Sequence, residues 1–280
     1  MIFLLLTIAC STSIALILKQ NDIRKGNTIV LLMGNYLVAS LISLIVLCFT
    51  PNIQFSIETL IFGAILGSLF VYSFFAFAKA VSIAGTALAA VSSRLSVIIP
   101  IILSILLFHE IPGMTHYIGF AFTLITILLF YHSLKDITAG PLRWMDIFYL
   151  LVLLVGIGIN DFCMKLFQQW RPVSEKPLFL FSIFTFSFLY TAGYILLRKI
   201  PIIKSTAIRG ALLGIPNVFS TFFLLGALSR LPAILVYPSV NIGVILLTTI
   251  SAALIWNEKL NRYGRWALLS GIIAIVLFGL

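Results

Sequence analysis

Acidic side chains are scarce in this sequence: eight Asp and Glu stand among 280 residues, beside 18 Lys and Arg, so charged residues make up only 9%. Water-soluble domains carry about 25%. The hydrophobic share is 61% and the mean hydropathy +1.18, which leaves too little polar surface to cover a soluble globule. Cysteine numbers three. Cys10, Cys48 and Cys163 all fall in apolar stretches and none belongs to a CxxC, so neither a disulfide framework nor a thiolate metal site is expected, and they read as small buried hydrophobes. Histidine also numbers three, all in or next to spacers, which argues against an intramembrane enzyme. His109, Glu110 and His116 miss the HExxH spacing, and Pro112-Gly113 breaks the helix that would align the two imidazoles. A nucleophile elbow, a Walker loop and a glycine-rich dinucleotide turn are all missing, so ATP-driven transport by this chain is excluded and no cofactor is expected. The net charge of +10 is spread through short spacers without a basic stripe, which excludes nucleic acid as a partner.

What the chain has is hydrocarbon length. Crossing about 30 Å of bilayer core takes about 20 apolar residues in a helix, and ten segments qualify: Ile2–Leu18, Thr28–Phe49, Ile57–Ala78, Ala84–Phe108, Thr115–Tyr131, Trp144–Met164, Leu178–Leu197, Ile208–Leu228, Pro232–Trp256 and Tyr263–Leu280. The first lacks a basic flank and a small-x-small cleavage site, so it reads as a spanning helix and not a signal peptide. Small residues recur within the spans, among them Gly63, Gly67, Gly156, Gly158, Gly193, Gly214 and Gly271, which permits close helix packing in lipid. The fold class expected is therefore all-α integral membrane, multi-pass, in the plasma (inner) membrane, with the lipid bilayer as its first partner.

An internal repeat organises the spans. Laying Leu107-Phe108-His109-Glu110 over Ile255-Trp256-Asn257-Glu258 yields two five-helix halves, 1–133 and 144–280, joined by the linker 134–143. Five is odd, so the halves take opposite orientations, the inverted plan of many secondary transporters, whose substrate lies near the midplane between repeats. The same overlay sets Ser93 opposite Asn241, with Arg94 beside it.

Arg94 is the most informative residue. An arginine at mid-bilayer costs about 2.5–3.5 kcal/mol on insertion scales, so it faces protein or a wet cavity. One reading is an anion-binding group, since guanidinium offers a planar fork of donors to carboxylate or phosphate; the other is a structural pairing with an acid or a helix end inside the membrane. Asn241 and Tyr237, next to Pro238, stand at similar depth and are expected with Ser93 in a substrate cavity, together with Tyr72 and Asn217 from neighbouring spans. Asp161 and Lys165 lie one turn apart beside Asn160. A salt bridge is the plain explanation; a coupling or gating role for Asp161, Lys165 and Asn160 is the sharper one, with protons or an exchanged solute as the driving species. Glu110 and Glu258 are expected to serve helix ends.

The run Arg94-Leu95-Ser96-Val97-Ile98-Ile99-Pro100 with Phe108-His109-Glu110, and Tyr237-Pro238-Ser239-Val240-Asn241 with Asn257-Glu258-Lys259-Leu260, resembles the EamA-type branch of the drug/metabolite transporter superfamily. Asn35-Tyr36 and the Lys165/Gln168 pair extend the resemblance over the whole chain. It implies a secondary active transporter, not an enzyme, working by alternating access through a central cavity; the residues themselves point to a small polar metabolite, with an anionic group on the anion-binding reading of Arg94. Lipid- or nucleotide-linked sugar carriage within the same superfamily, and a non-transporting helical membrane protein, are the alternatives. Orientation divides the arguments: basic residues crowd the spacers after odd-numbered spans and put both termini outside, whereas the resemblance implies both inside.

Overall fold

The computed structural model describes residues 1–51, 54–84, 86–134, 144–256 and 261–279. Among them every regular element is helical: α1 (Ile2–Ile23), α2 (Thr28–Phe49), α3 (Ile57–Ala84), α4 (Thr86–Leu95), α5 (Ile98–Phe108), α6 (Met114–Leu134), α7 (Trp144–Trp170), α8 (Lys176–Arg198), α9 (Lys204–Leu228), α10 (Ala233–Trp256) and α11 (Arg262–Gly279), with one 3-10 turn at Val173–Glu175. Nine segments of the described residues are long and apolar enough to cross a membrane by length and composition; α11, with Arg262 and Arg265 in its first turn, is not one of them. Glu258 and residues 135–143 of the linker lie outside the described residues.

Several helices outrun their apolar segments. The first continues past Leu18 through Lys19, Asn21 and Asp22, and the seventh past Met164 to Trp170, because polar residues at a membrane edge still close helical hydrogen bonds. The expectation of one continuous fourth span, Ala84–Phe108, is corrected by a break after Leu95. Pro100 has no N–H to give the carbonyl four residues back, and its ring collides with that carbonyl. Ser96 O instead accepts from Ile99 N at 3.0 Å. The hydroxyls of Ser93 and Ser96 bond back to Ala90 O and Ser93 O at 2.7 Å each, a pattern that bends helices. Cys48 is exposed, which corrects its reading as buried, while Cys10 and Cys163 are half-buried.

The chain divides into two compact units, residues 1–71 with 167–226 and residues 72–166 with 227–280. In the first, α2 packs along α8, and glycines bring backbones together. A Cβ on Gly210 would lie 2.1 Å from Leu31 O, and one on Gly214 2.6 Å from Asn35 O; on α3, a Cβ on Gly63 would lie 2.5 Å from the Ser182 side chain and one on Gly67 2.7 Å from Ile183 O. In the second, α6 packs along α11 and α10 meets both α11 and α5. Its apolar clusters include Ile242, Leu246, Ala274 and Phe278, and a second built around Ala76, Ala80, Ala89 and Leu153.

Candidate functional site

The second unit gathers most of the polar residues singled out in the spans. Arg94 occupies the last turn of α4, where the break aims it at α10. Its Nη1 donates to Asn241 Oδ1 at 3.2 Å, Asn241 Nδ2 donates to Tyr237 O at 3.3 Å, and the buried Tyr237 hydroxyl donates to the backbone carbonyl of Asp161. A chain of bonds thus runs from α4 through α10 to α7. The Asp161 carboxylate acts electrostatically on Arg94, but among the described residues no direct salt bridge joins them. Beside it, Asn160 Nδ2 donates to Ser73 Oγ at 2.9 Å, while its buried Oδ1 has no partner among the described residues. Gly156, one turn earlier, leaves room for that serine: a Cβ there would lie 2.9 Å from Ser73 Oγ.

Lys165 does not pair with Asp161. Its Nζ lies 3.0 Å from Glu110 Oε1, with the two side chains 4% and 11% exposed. The chain leaves α5 through His109 in the left-handed region, φ 53°, and this turn delivers Glu110 to the start of α10. There its two oxygens accept from Ala233 N and Ile234 N, both at 3.0 Å. The first turn of a helix has unsatisfied N–H groups, so Glu110 gains two backbone donors and an ammonium at once. Lys165 also lies 5.8 Å from the Phe108 ring centroid, which stacks on Phe162.

Three expected cavity residues take no part in this chain of bonds. Ser93 spends its hydroxyl on its own helix. Tyr72 is 55% exposed. Asn217 belongs to the other unit, where it donates to Asn35 Oδ1 at 3.0 Å.

The first unit holds a cluster that spacing alone did not bring out. Arg171 reaches both oxygens of Glu175, at 2.8 and 2.9 Å, and donates to Thr59 Oγ1 at 3.0 Å, while the Thr59 hydroxyl bonds Glu175 as well. Glu58 adds a looser contact at 3.5 Å. The i,i+4 interval between Arg171 and Glu175 was the available signal. The partners from α3 were not legible.

This geometry can be set beside known proteins. The model of the EamA-like transporter family matches residues 1–132. Residues 1–132 are thus similar to a family of the drug/metabolite transporter superfamily. An uncharacterized protein of Haemophilus influenzae runs nearly end to end with this chain: the two are 29% identical over 285 residues, covering 97% of this chain and 95% of that one. A solved crystal structure superposes with a TM-score of 0.81 at 11% identity, covering 99% of this chain and 94% of the other, which establishes the fold alone.

Proposed function

We propose that this protein is a secondary active transporter of ten transmembrane helices, arranged as two inverted five-helix repeats in the plasma (inner) membrane. It carries a small polar metabolite with an anionic group by alternating access, coupled to protons or to exchange. The observation that carries the reading is the Arg94–Asn241 bond at 3.2 Å, a guanidinium held by a neutral amide within otherwise apolar helices. A neutral partner leaves the guanidinium without a bonded counter-ion, Asp161 acting on it only through space, so an anionic ligand gains a charge-assisted bond there. Asp161 and Lys165, with Asn160, are assigned to coupling or gating; Tyr237 lines the cavity with Arg94 and Asn241.

Two features support the inverted repeat. Within the first unit the second helix of one half, α2, packs along its counterpart α8; within the second unit the fifth helix, α6, packs along its counterpart α11. Self-pairing of equivalent helices is what a two-fold axis produces. Moreover, Gly63 and Gly67 stand 147 positions before Gly210 and Gly214, within one residue of the 148 that sets Glu110 over Glu258 and Ser93 over Asn241. The tenth span is α11, whose first-turn arginines lie at the membrane edge.

The test is ligand-dependent thermal stabilisation of the purified protein across a metabolite library, since a ligand of the folded state stabilises it by mass action. Arg94→Ala is expected to weaken the cognate anion by more than about tenfold, and Arg94→Lys to recover part of it, because a point charge replaces the bidentate fork. Equal stabilisation of the wild type and Arg94→Ala by the same anion would overturn the assignment.

A further inference from the structure

Near the start of α8, the first unit has a groove of about 110 Å³ whose walls are Ile42 and Val46 of α2, Pro177 and Leu180 of α8, and Val218 and Phe222 of α9. Each wall is about one helical turn tall, or about 5.4 Å. We propose that this groove, with Lys176 at its edge, is a phospholipid site: an acyl chain occupies the groove and the lipid phosphate meets the ammonium.

The groove is unsuited to water. Its one polar side chain, Ser43, spends its hydroxyl on Ala39 O at 2.7 Å, and a buried water needs two to four polar partners. In a bilayer the filling must be hydrocarbon. The charge at the edge selects what that hydrocarbon is attached to. Lys176 Nζ donates to Phe222 O at 2.6 Å and lies 3.6 Å from the centroid of the Phe222 ring, the same ring that lines the groove. The ammonium is therefore fixed against the wall instead of reaching freely into water. Its one-residue distance from Pro177 puts positive charge where α8 enters the membrane. A glycerophospholipid has a phosphate directly above its acyl chains; diacylglycerol offers the same chains without the phosphate.

Native mass spectrometry of the full chain in detergent, with dioleoyl phosphatidylglycerol or dioleoylglycerol added, separates the two contributions. The wild type is expected to retain one phosphatidylglycerol and about tenfold less dioleoylglycerol. Lys176→Met should abolish that preference, and Val46→Trp, which fills the groove from a half-buried position, should lower retention of both lipids by about tenfold, the equivalent of one charge-assisted contact or one buried side chain. Should Val46→Trp not fold, Ile42→Trp on the same wall gives the same readout. Equal retention of the two lipids by the wild type, unchanged retention after the groove is filled, or a protein dimer that dissociates on filling it would each overturn the proposal.

Discussion

The unit of residues 1–71 and 167–226 joins its helices mostly by removing side chains, with one charged cluster around Arg171; the unit of residues 72–166 and 227–280 joins them mostly by burying charge. In the first, glycines on α3 and α9 let helices meet at distances no Cβ would tolerate, and Asn217 donates to Asn35. In the second, Lys165, Glu110, Arg94 and Asp161 lie in or beside apolar helices, and a proline breaks the fourth span. Close backbone packing tolerates little movement, because every contact is already at its limit. Charged groups, by contrast, can exchange one partner for another. The contrast assigns rigidity to one unit and chemistry to the other.

Removing one partner of the buried ion pair should break that contrast most visibly. Lys165→Met leaves the Glu110 carboxylate buried without its counter-ion, at an expected cost of about 3–5 kcal/mol, read as a fall in melting temperature in detergent; adding Glu110→Gln should recover part of it, and no recovery would mean that the pair contributes no mutual stabilisation. Next in size is Gly210→Ala in the other unit. The new Cβ meets the backbone carbonyl of Leu31, which has no rotamer to change, so about 1–3 kcal/mol is expected. Gly193→Ala, where nothing lies within 4 Å, is the matched control and should leave the melt unchanged. The smallest effect sharpens the comparison. Asn217→Leu should cost about 0.6 kcal/mol, an ordinary interhelical hydrogen bond in a membrane, whereas Asn241→Leu, which strips a charged donor of its acceptor, should cost about 1.5–3 kcal/mol. Equal effects of the two asparagine changes would remove the distinction between the units.

Helix content was legible in the sequence because hydrocarbon thickness imposes its length on every crossing segment. The interruption of the fourth span was less so. Pro100 announced it, but where the chain gives way depended on which carbonyl the proline displaced and on the back-bonding of Ser93 and Ser96. Arg94, Asn241, Tyr237, Asp161, Asn160 and Lys165 were each legible as polar residues in apolar spans, and all fall within one unit. Their partners were not. The i,i+4 interval between Asp161 and Lys165 looked sufficient for a salt bridge, yet a left-handed His109 brings Glu110 to Lys165 instead. Intervals along one helix are visible in a sequence, whereas a turn that redirects the chain to another helix depends on one residue's φ.

The break after Leu95 also has an electrostatic side. A helix that stops inside an apolar segment presents the negative end of its aligned peptide dipoles, equivalent to about half an elementary charge. Arg94 lies in that last turn. A cation so placed is stabilised by about 0.3–1 kcal/mol, and by up to about 2 kcal/mol when partly buried. An unbroken helix would carry its dipoles past Arg94 to the membrane edge and leave it only the through-space attraction of Asp161. In a chain with so few acids, the backbone itself thus supplies part of the negative charge that keeps a central arginine in place.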